Sequence, residues 1–365
     1  MLIGQIGQLH YETTPKYSFL QSLRNVEISK RIVELSLNSM HTIKGRIFKV
    51  SNEELASFFI EHMDSEDQLP TKDGMLSALI MPLRAIRDGT PIIGIDVSSI
   101  KIGVTDAGVI YAIRGTIVLK INNHYRYIRF GPLPFHITKE NIHEIFGELS
   151  RDLSLRFNFF SYIDPQIQLC NIIEKWLRAY VSHLVKRSII LWDGSLTAGT
   201  PGNPTADLSR MLRIARENSN VVMGISKDTS LKFIRWGMTD LLNGYKPPYL
   251  FEIRSASFSH TSSLRLLGRI YVAKLAKGGC AFRLDIDKAI PRDEGIVAVE
   301  KLIGNETLYQ GYPETLRLAH IYSTFTASDV IGIQRLLIKK YGLKLVAHNN
   351  MHRTLFGPYG ARLED

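Results

Sequence analysis

The sequence predicts a mixed α/β fold, in which three antiparallel strands are followed by helices that cross over onto parallel strands. Three observations lead to this prediction. Residues 92–130 contain three strand-like runs separated by short turns. A long amphipathic stretch follows over 165–186. Two short apolar runs, 188–194 and 220–226, then flank a second helical stretch. Antiparallel strands can be joined by tight turns, whereas parallel neighbours need a crossover connection. The order of these runs therefore indicates an antiparallel meander followed by helical crossovers onto parallel strands.

The three antiparallel strands are predicted from composition and turn residues. The first run follows Pro91 and reads IIGIDVSSIKIGV. The second run covers 109–121 and the third 125–130, and both are rich in β-branched and aromatic residues. The turns between them, at 106–108 and 122–123, consist of Asp, Ala, Gly and Asn. Such residues favour tight connections, so the three strands are predicted in meander order.

The helix over 165–186 is predicted because its apolar residues recur at steps of three and four, which marks one buried face. These apolar positions are Leu169, Ile172, Ile173, Trp176, Leu177, Tyr180, Val181 and Leu184. The runs SIILWDG and NVVMGIS on either side of ADLSRMLRIARENS are typical of buried parallel strands. A meander followed by crossovers onto parallel strands is the RNase H-like arrangement, a mixed sheet flanked by helices.

Three regions are predicted along the chain. Residues 1–90 form a helical N-terminal region, with helical spacing over 17–38 and an N-capped helix at 52–63. Residues 91–345 form the RNase H-like domain, and residues 346–365 form a C-terminal tail without a periodic pattern. The last third of the domain adds four predicted elements: strands at 269–276 and 280–287, and helices at 315–323 and 327–341.

Composition restricts the class of protein. The chain has 365 residues, of which 45% are hydrophobic and 22% charged, as in ordinary globular proteins. No run approaches the ~20 apolar residues of a membrane span, and the N-terminus lacks a signal-peptide core, so a cytoplasmic location is expected. Cys170 and Cys280 have no C-x-x-C spacing, so we expect two buried thiols without zinc or disulfide. The net charge of +10 favours a polyanionic partner.

Two acids stand at the ends of predicted buried strands. Asp96 and Asp193 are each followed, two residues on, by a serine, Ser98 and Ser195. If both strands are central and parallel, their carboxyl ends lie side by side and the carboxylates meet at one sheet edge. Carboxylates this close repel each other unless a cation neutralises them, and oxygen ligands suit Mg²⁺ or Mn²⁺. The alternative interpretation is that each Asp only ends a strand and begins a turn.

Glu174 and Lys227 are weaker candidates. Glu174 lies at the border of the apolar face of the long helix, where glutamates are commonly solvated surface residues. It is nevertheless the acid in the helix that leads directly into the Asp193 strand. Lys227 follows the run NVVMGIS and would lie at the same sheet edge. A lysine there could bind a phosphate, or it could be an ordinary loop residue.

The segment GYPETLRLAH places Tyr312 eight residues before His320. If a helix begins after Pro313, His320 lies about two turns into it. A single helical histidine is more often structural than a ligand. Asp285 and Asp287 share one face of a predicted strand. They could extend an acidic site, but we interpret them as charges at the sheet edge.

These pieces, in this order, resemble the NurA family of nucleases over roughly residues 90–325. The matching segments are GIDVSS with Asp96, the helical Glu174, WDGSL with Asp193, GISKDT with Lys227, and GYP(x)₆H with Tyr312 and His320. The resemblance implies an RNase H-like homodimer that degrades DNA with Mn²⁺ or Mg²⁺. It also implies cooperation with the hexameric HerA translocase in DNA-end resection during archaeal recombinational repair.

The resemblance implies roles for the same residues. The implied metal ligands are Asp96, Glu174, Asp193 and His320, and the residues implied to complete the catalytic site are Lys227 and Tyr312. One position departs from the family, which has Gly after the first Asp where this chain has Val97. Side chains alternate along a strand, so Val97 is expected on the opposite face from Asp96, where it leaves the ligand in place.

Two other functions remain open from the sequence. An actin-like or sugar-kinase-like ATPase also has an RNase H-like core, and IDVSSIKIGVTDAGVI resembles its first phosphate hairpin. That hairpin requires Gly for close approach of the backbone to phosphate, and Val97-Ser98-Ser99 supplies none. A non-catalytic DNA-binding or scaffolding subunit would fit the basic charge equally well, and Val97 is the feature in its favour.

Overall fold

The computed structural model describes residues 30–49, 79–152, 163–200, 202–226, 246–253 and 264–346. The described strands are β1 (Ile47–Lys49), β2 (Leu79–Pro82), β3 (Ile92–Thr105), β4 (Gly108–Ile121), β5 (His124–Thr138), β6 (Ile189–Asp193), β7 (Thr197–Ala198), β8 (Val221–Ser226), β9 (Tyr249–Glu252), β10 (Arg265–Leu266), β11 (Gly268–Lys274), β12 (Phe282–Asp287), β13 (Leu308–Tyr309), β14 (Tyr312–Pro313) and β15 (Lys344–Val346). The described helices are α1 (Lys30–His41), α2 (Ile142–Asp152), α3 (Pro165–Leu184), α4 (Thr205–Glu217), α5 (Arg292–Asn305), α6 (Glu314–Ser323) and α7 (Ala327–Tyr341).

The central part of the main sheet has the strand order β5-β4-β3-β6-β8. Strands β3, β4 and β5 are antiparallel neighbours, whereas β6 is parallel to β3 and β8 is parallel to β6. Helix α3 lies in the connection from β5 to β6, and α4 connects β6 to β8. This order and these directions are those of the RNase H-like fold, as the sequence predicted. Beyond β8 the sheet continues with the antiparallel strands β12, β11, β9 and β2.

Local sequence explains why α3 begins where it does. The Asp164 carboxylate accepts a hydrogen bond of 2.6 Å from the backbone N–H of Gln166, which caps the helix. Pro165 occupies the first turn, where the missing N–H would have no helical partner. The apolar stripe predicted from periodicity is buried against the sheet, and Leu169, Ile172 and Leu177 are fully enclosed. Burial of this stripe, rather than helix propensity, stabilises α3.

The two faces of β3 pack in different cores. Ile93, Ile95 and Val97 belong to the apolar cluster on the α3 side of the sheet. The alternate residues face α6, and Gly94 lies directly beneath the first turn of that helix, where a Cβ atom would lie 2.7 Å from the carbonyl oxygen of Thr315. The missing side chain therefore lets α6 approach β3 closely, which brings the residues of α6 to the strand end.

Most predicted elements are present in the structure, but the prediction for the first ninety residues was incomplete. Helix α1 falls partly within the predicted helical stretch, yet β1 and β2 join the main sheet and were predicted as helices or connectors. These short strands lack a readable alternation and form because neighbouring edges supply hydrogen-bond partners. Helix α5 was also missed. The predicted helix at 52–63 and the tail from 347 lie outside the described residues.

The limits of the three regions, 1–90, 91–345 and 346–365, stay predictions. Among the described helices, none has both the length and the apolar character that a bilayer crossing requires. Helix α1 packs on β5, where the hydroxyl of Ser36 donates to the carbonyl of Pro134 at 2.6 Å. The described N-terminal part is therefore in direct contact with the RNase H-like sheet.

Candidate metal centre

Asp96 and Asp193 follow residues that are direct neighbours across the parallel pair β3 and β6. Ile95 is in register with Trp192, so each aspartate is the next residue along its strand. Leu191 packs in the cluster on the α6 side, and strand alternation puts Asp193 on that same face. Asp96 also faces α6, because its carboxylate contacts that helix. The carboxylates therefore leave the sheet at one edge and on one face.

His320 completes a group of three possible ligands. One ligand atom each from Asp96, Asp193 and His320 lie within 4.8 Å of one another. His320 Nδ1 is 3.4 Å from Asp96 Oδ2. The aspartate side chain is 10% exposed and the imidazole 51% exposed, so the group is buried at its base and open on the histidine side. Carboxylate oxygens with one imidazole are a donor set that Mn²⁺ and Mg²⁺ accept.

Glu174 lies near this group, but its carboxylate is paired with Arg178 on the next turn of α3. The Arg178 guanidinium also donates to the carbonyl oxygen of Asp193 at 2.8 Å and lies 5.1 Å over the Trp192 ring. Burial raises the pKa of Glu174, Arg178 opposes that rise, and the negative charges of Asp96 and Asp193 add to it. The three acids therefore share one electrostatic environment, with Arg178 as the cation that faces Glu174.

Tyr312 lies in β14, immediately before α6. Burial raises the pKa of its phenol, and the negative charges of Asp193 and Asp96 raise it further. Its ring packs edge-on against Phe282 at a centroid distance of 5.9 Å. The phenol therefore keeps its proton at neutral pH and can act as a hydrogen-bond donor beside the carboxylates. Lys227, predicted to lie at the same edge, falls outside the described residues.

Sequence reasoning missed two residues of this site, Arg178 and Ser323. Ser323 is the last residue of α6, and its hydroxyl donates to the carboxylate of Asp96. No local pattern marks Ser323, since its partner is 227 positions away in the chain. Arg178 stands four residues after Glu174, a spacing that favours an ion pair on one helix. The spacing could have predicted the ion pair between Glu174 and Arg178, but not the contact of Arg178 with Asp193.

The interpretation of Asp285 and Asp287 as edge charges was wrong, because both are almost fully buried. Asp285 pairs with Arg283 and accepts a hydrogen bond of 2.9 Å from the backbone N–H of Leu196. Asp287 pairs with Arg216 of α4. These acids have structural partners: the first fixes the loop that follows Asp193 and the second joins α4 to β12. Buried carboxylates require such partners.

The two cysteines differ in environment. The Cys170 thiol donates to the carbonyl of Val97 at 3.3 Å. Burial, with the nearby charges of Glu174 and Asp96, raises the pKa of this thiol to about 12, so it stays neutral. Val97 itself packs in the core on the α3 side, which confirms that it points away from the carboxylate face. Cys280 is exposed, contrary to expectation, and both cysteines are free.

The strand order and this cluster define the class: an RNase H-like protein with a candidate metal centre at the carboxyl edge of its parallel strands. No family model matches the chain, and no curated protein matches it either.

Among solved structures, the chain is similar to the NurA nuclease from Sulfolobus solfataricus, with 16% identity and a TM-score of 0.46 over 71% of this chain and 86% of that one. It is similar to endonuclease V from Bacillus subtilis, with 12% identity and a TM-score of 0.31 over 72% and 88%. A third similar structure is Argonaute from Marinitoga piezophila in complex with guide RNA, with 12% identity and a TM-score of 0.30 over 67% and 31%.

Proposed function

We propose that this protein is a metal-dependent deoxyribonuclease that hydrolyses phosphodiester bonds in DNA, with Mn²⁺ or Mg²⁺ as its cofactor. The observation that carries the proposal is the convergence of Asp96, Asp193 and His320, whose ligand atoms lie within 4.8 Å of one another. Their positions in the chain are far apart, and only the parallel pairing of β3 with β6 and the packing of α6 bring them together.

The environment of the cluster favours a bound cation. Two carboxylates at one buried edge repel each other. Burial raises the pKa of Glu174 and of Tyr312, and the negative charges of the two aspartates raise both further. A divalent cation held here would relieve this repulsion, and it would supply activation of water and neutralisation of charge on the scissile phosphate. We propose Asp96, Asp193 and His320 as ligands, with Glu174 as the third acidic ligand.

The remaining side chains have roles that follow from their protonation and position. His320 is half-exposed at the open side of the cluster, where an imidazole can bind metal or carry a proton near neutral pH. Tyr312 keeps its proton and can donate to a phosphate oxygen. Lys227 is proposed as a further phosphate contact. Arg178 keeps positive charge beside Glu174 and so limits the net negative potential that a DNA strand meets.

The substrate and partners belong to the same proposal. A net charge of +10 favours binding to a polyanion, and DNA is a polyanion that carries the phosphodiester bonds such a site would hydrolyse. The ligand cluster is buried at its base, so a duplex has to be fed in or frayed to reach it. On the resemblance of its motifs to the NurA family, we propose a homodimer that acts with a hexameric HerA-type ATPase in DNA-end resection for recombinational repair.

The proposal is tested with end-labelled linear DNA incubated with the protein and Mn²⁺, Mg²⁺ or EDTA. Cleavage is expected with a divalent cation and is expected to cease in EDTA. Asp96→Asn and Asp193→Asn should each reduce the rate by about 10³-fold or more, because a metal centre contributes several kcal/mol to the transition state. Asp293→Asn, an exposed acid in the first turn of α5, serves as the matched control and should cleave normally.

Other outcomes identify the alternatives. Full cleavage activity in Asp96→Asn or Asp193→Asn would overturn the proposed site. DNA binding without cleavage in any divalent cation would favour a scaffolding subunit. Tight ATP binding without cleavage would favour an ATPase of the actin-like or sugar-kinase-like class. Thermal unfolding of each variant is measured in parallel, so that a loss of activity is not confused with a loss of fold.

A further inference from the structure

The carboxylate of Asp96 is anchored from the far end of α6. The Ser323 hydroxyl donates to Asp96 Oδ2, the same oxygen that lies 3.4 Å from His320 Nδ1. Ser323 is fully buried, and Asp96 is almost fully buried. A second hydroxyl, that of Ser98, lies 3.0 Å from Ser323 Oγ. The Asp-Val-Ser motif on β3 and the end of α6 therefore meet in one hydrogen-bonded group.

The direction of these hydrogen bonds follows from counting protons. A serine hydroxyl has one proton to donate and two lone pairs that accept. The one Ser323 proton is shared between Asp96 Oδ2 and the carbonyl oxygen of His320, which is 2.9 Å away. Both of these partners are acceptors only, so the proton between Ser98 and Ser323 comes from Ser98. The order of donation is Ser98 to Ser323 to Asp96.

Helix geometry gives this anchor a second effect. Ser323 stands three residues after His320, so the two side chains lie on neighbouring positions of one helical face. The same turn of α6 therefore supplies a candidate ligand and the group that holds the opposite ligand. If the Ser323 contact is lost, Asp96 gains rotameric freedom and the separation between Asp96 and His320 is no longer fixed by a side-chain hydrogen bond.

We propose that Ser323, supported by Ser98, is a positioning residue of the metal centre: it fixes the Asp96 carboxylate in the orientation that binds the cation. The inference rests on the proposed function. Partners that hydrogen-bond a metal-ligating group typically change metal affinity by about 10- to 100-fold when they are removed. Ser323 acts through Asp96 rather than on the substrate, so metal affinity is the quantity that reports its role.

The test is calorimetric titration of the full-length protein with Mn²⁺, without DNA. Ser323→Ala is expected to weaken Mn²⁺ binding by about 10- to 100-fold. Ser98→Ala should weaken it less, because Ser98 acts through Ser323. Thr324→Ala is the matched control: Thr324 Oγ1 donates to the same carbonyl of His320 at 2.8 Å, but from the exposed side of the helix. Its Mn²⁺ affinity should equal that of the wild type.

Ser323→Thr provides a rescue, since it restores the hydroxyl and should return the affinity toward the wild-type value. Ser98→Ala, at a partly exposed position, gives a second reading that does not depend on a buried substitution. In cleavage assays, the Mn²⁺ concentration for half-maximal rate should rise in Ser323→Ala, while the rate at saturating Mn²⁺ should recover.

Equal Mn²⁺ affinity in Ser323→Ala and Thr324→Ala would overturn the positioning role. If the wild type binds Mn²⁺ and cleaves DNA in that case, the proposed function stands and only the role of Ser323 is rejected. A wild type that binds no Mn²⁺ would reject both the positioning role and the metal-dependent function. A Ser323→Ala protein that unfolds at a much lower temperature, with Ser98→Ala at wild-type affinity, would assign Ser323 a structural role and reject the proposal.

Discussion

Replacing Gly94 with alanine is expected to displace α6 from β3 and to weaken both the fold and the candidate metal centre. A Cβ atom at Gly94 would lie 2.7 Å from the carbonyl oxygen of Thr315 and 3.0 Å from Leu316 Cα. Both are backbone atoms of the first turn of α6, so no side-chain rotation can relieve the contact. The helix itself has to move, and His320 moves with it.

The size of the effect follows from these distances. Ordinary van der Waals contact begins near 3.4 Å, so the first turn of α6 has to retreat by roughly 0.7 Å. Overpacking of this kind costs about 1–3 kcal/mol of unfolding free energy. A displacement of about 1 Å in a catalytic group can reduce a rate by about 100-fold. We therefore expect Gly94→Ala to cleave DNA roughly 10- to 100-fold more slowly.

Urea unfolding and the end-labelled cleavage assay measure the two effects on the same preparation. Gly332→Ala is the matched control, because Gly332 lies in the interior of α7 and a Cβ atom added there would have no neighbouring atom within 4 Å. That substitution should stabilise the protein by about 0.5–1 kcal/mol, since alanine loses less backbone entropy in a helix. Its cleavage rate should not change. A Gly94→Ala protein with wild-type stability and wild-type cleavage would refute the close-approach argument.

Two further predictions concern buried polar groups. Arg114 is buried and donates to both carboxylate oxygens of Asp329, at 3.0 and 3.1 Å. Arg114→Leu should therefore lower the free energy of unfolding, measured in urea, by about 2–3 kcal/mol, and wild-type stability in this variant would contradict the prediction. Burial, and then the charge of Arg46, lowers the pKa of His136 from 6.5 to about 4. As the pH falls, the unfolded chain therefore binds a proton on this histidine before the folded chain does. The stability that the neutral imidazole contributes is fully present above pH 6.5, and it should decline by about 3 kcal/mol as the pH falls to 4. Unfolding measured across this range should show a smaller decline in His136→Gln, and an equal decline would exclude His136 as the cause.

The order and type of the central elements could be predicted from the amino-acid sequence. Period-two and apolar runs marked β3 to β6 and β8, and the three- and four-residue steps marked α3, because these periods depend only on which side of an element is buried. The convergence of Asp96 and Asp193 was also predictable, since parallel neighbours end at the same sheet edge. His320 was correctly placed two turns into α6 by the position of Pro313.

The contacts of the buried polar groups, in contrast, could be read only from the folded structure. The pairing of Glu174 with Arg178, the anchoring of Asp96 by Ser323 and the burial of Asp285 depend on which element covers which face. Periodicity records that a side of a helix or strand is covered, but it carries no information about the residue that covers it. The same limit hid β1 and β2, whose short sequences become strands only where a neighbouring edge offers unpaired N–H and C=O groups.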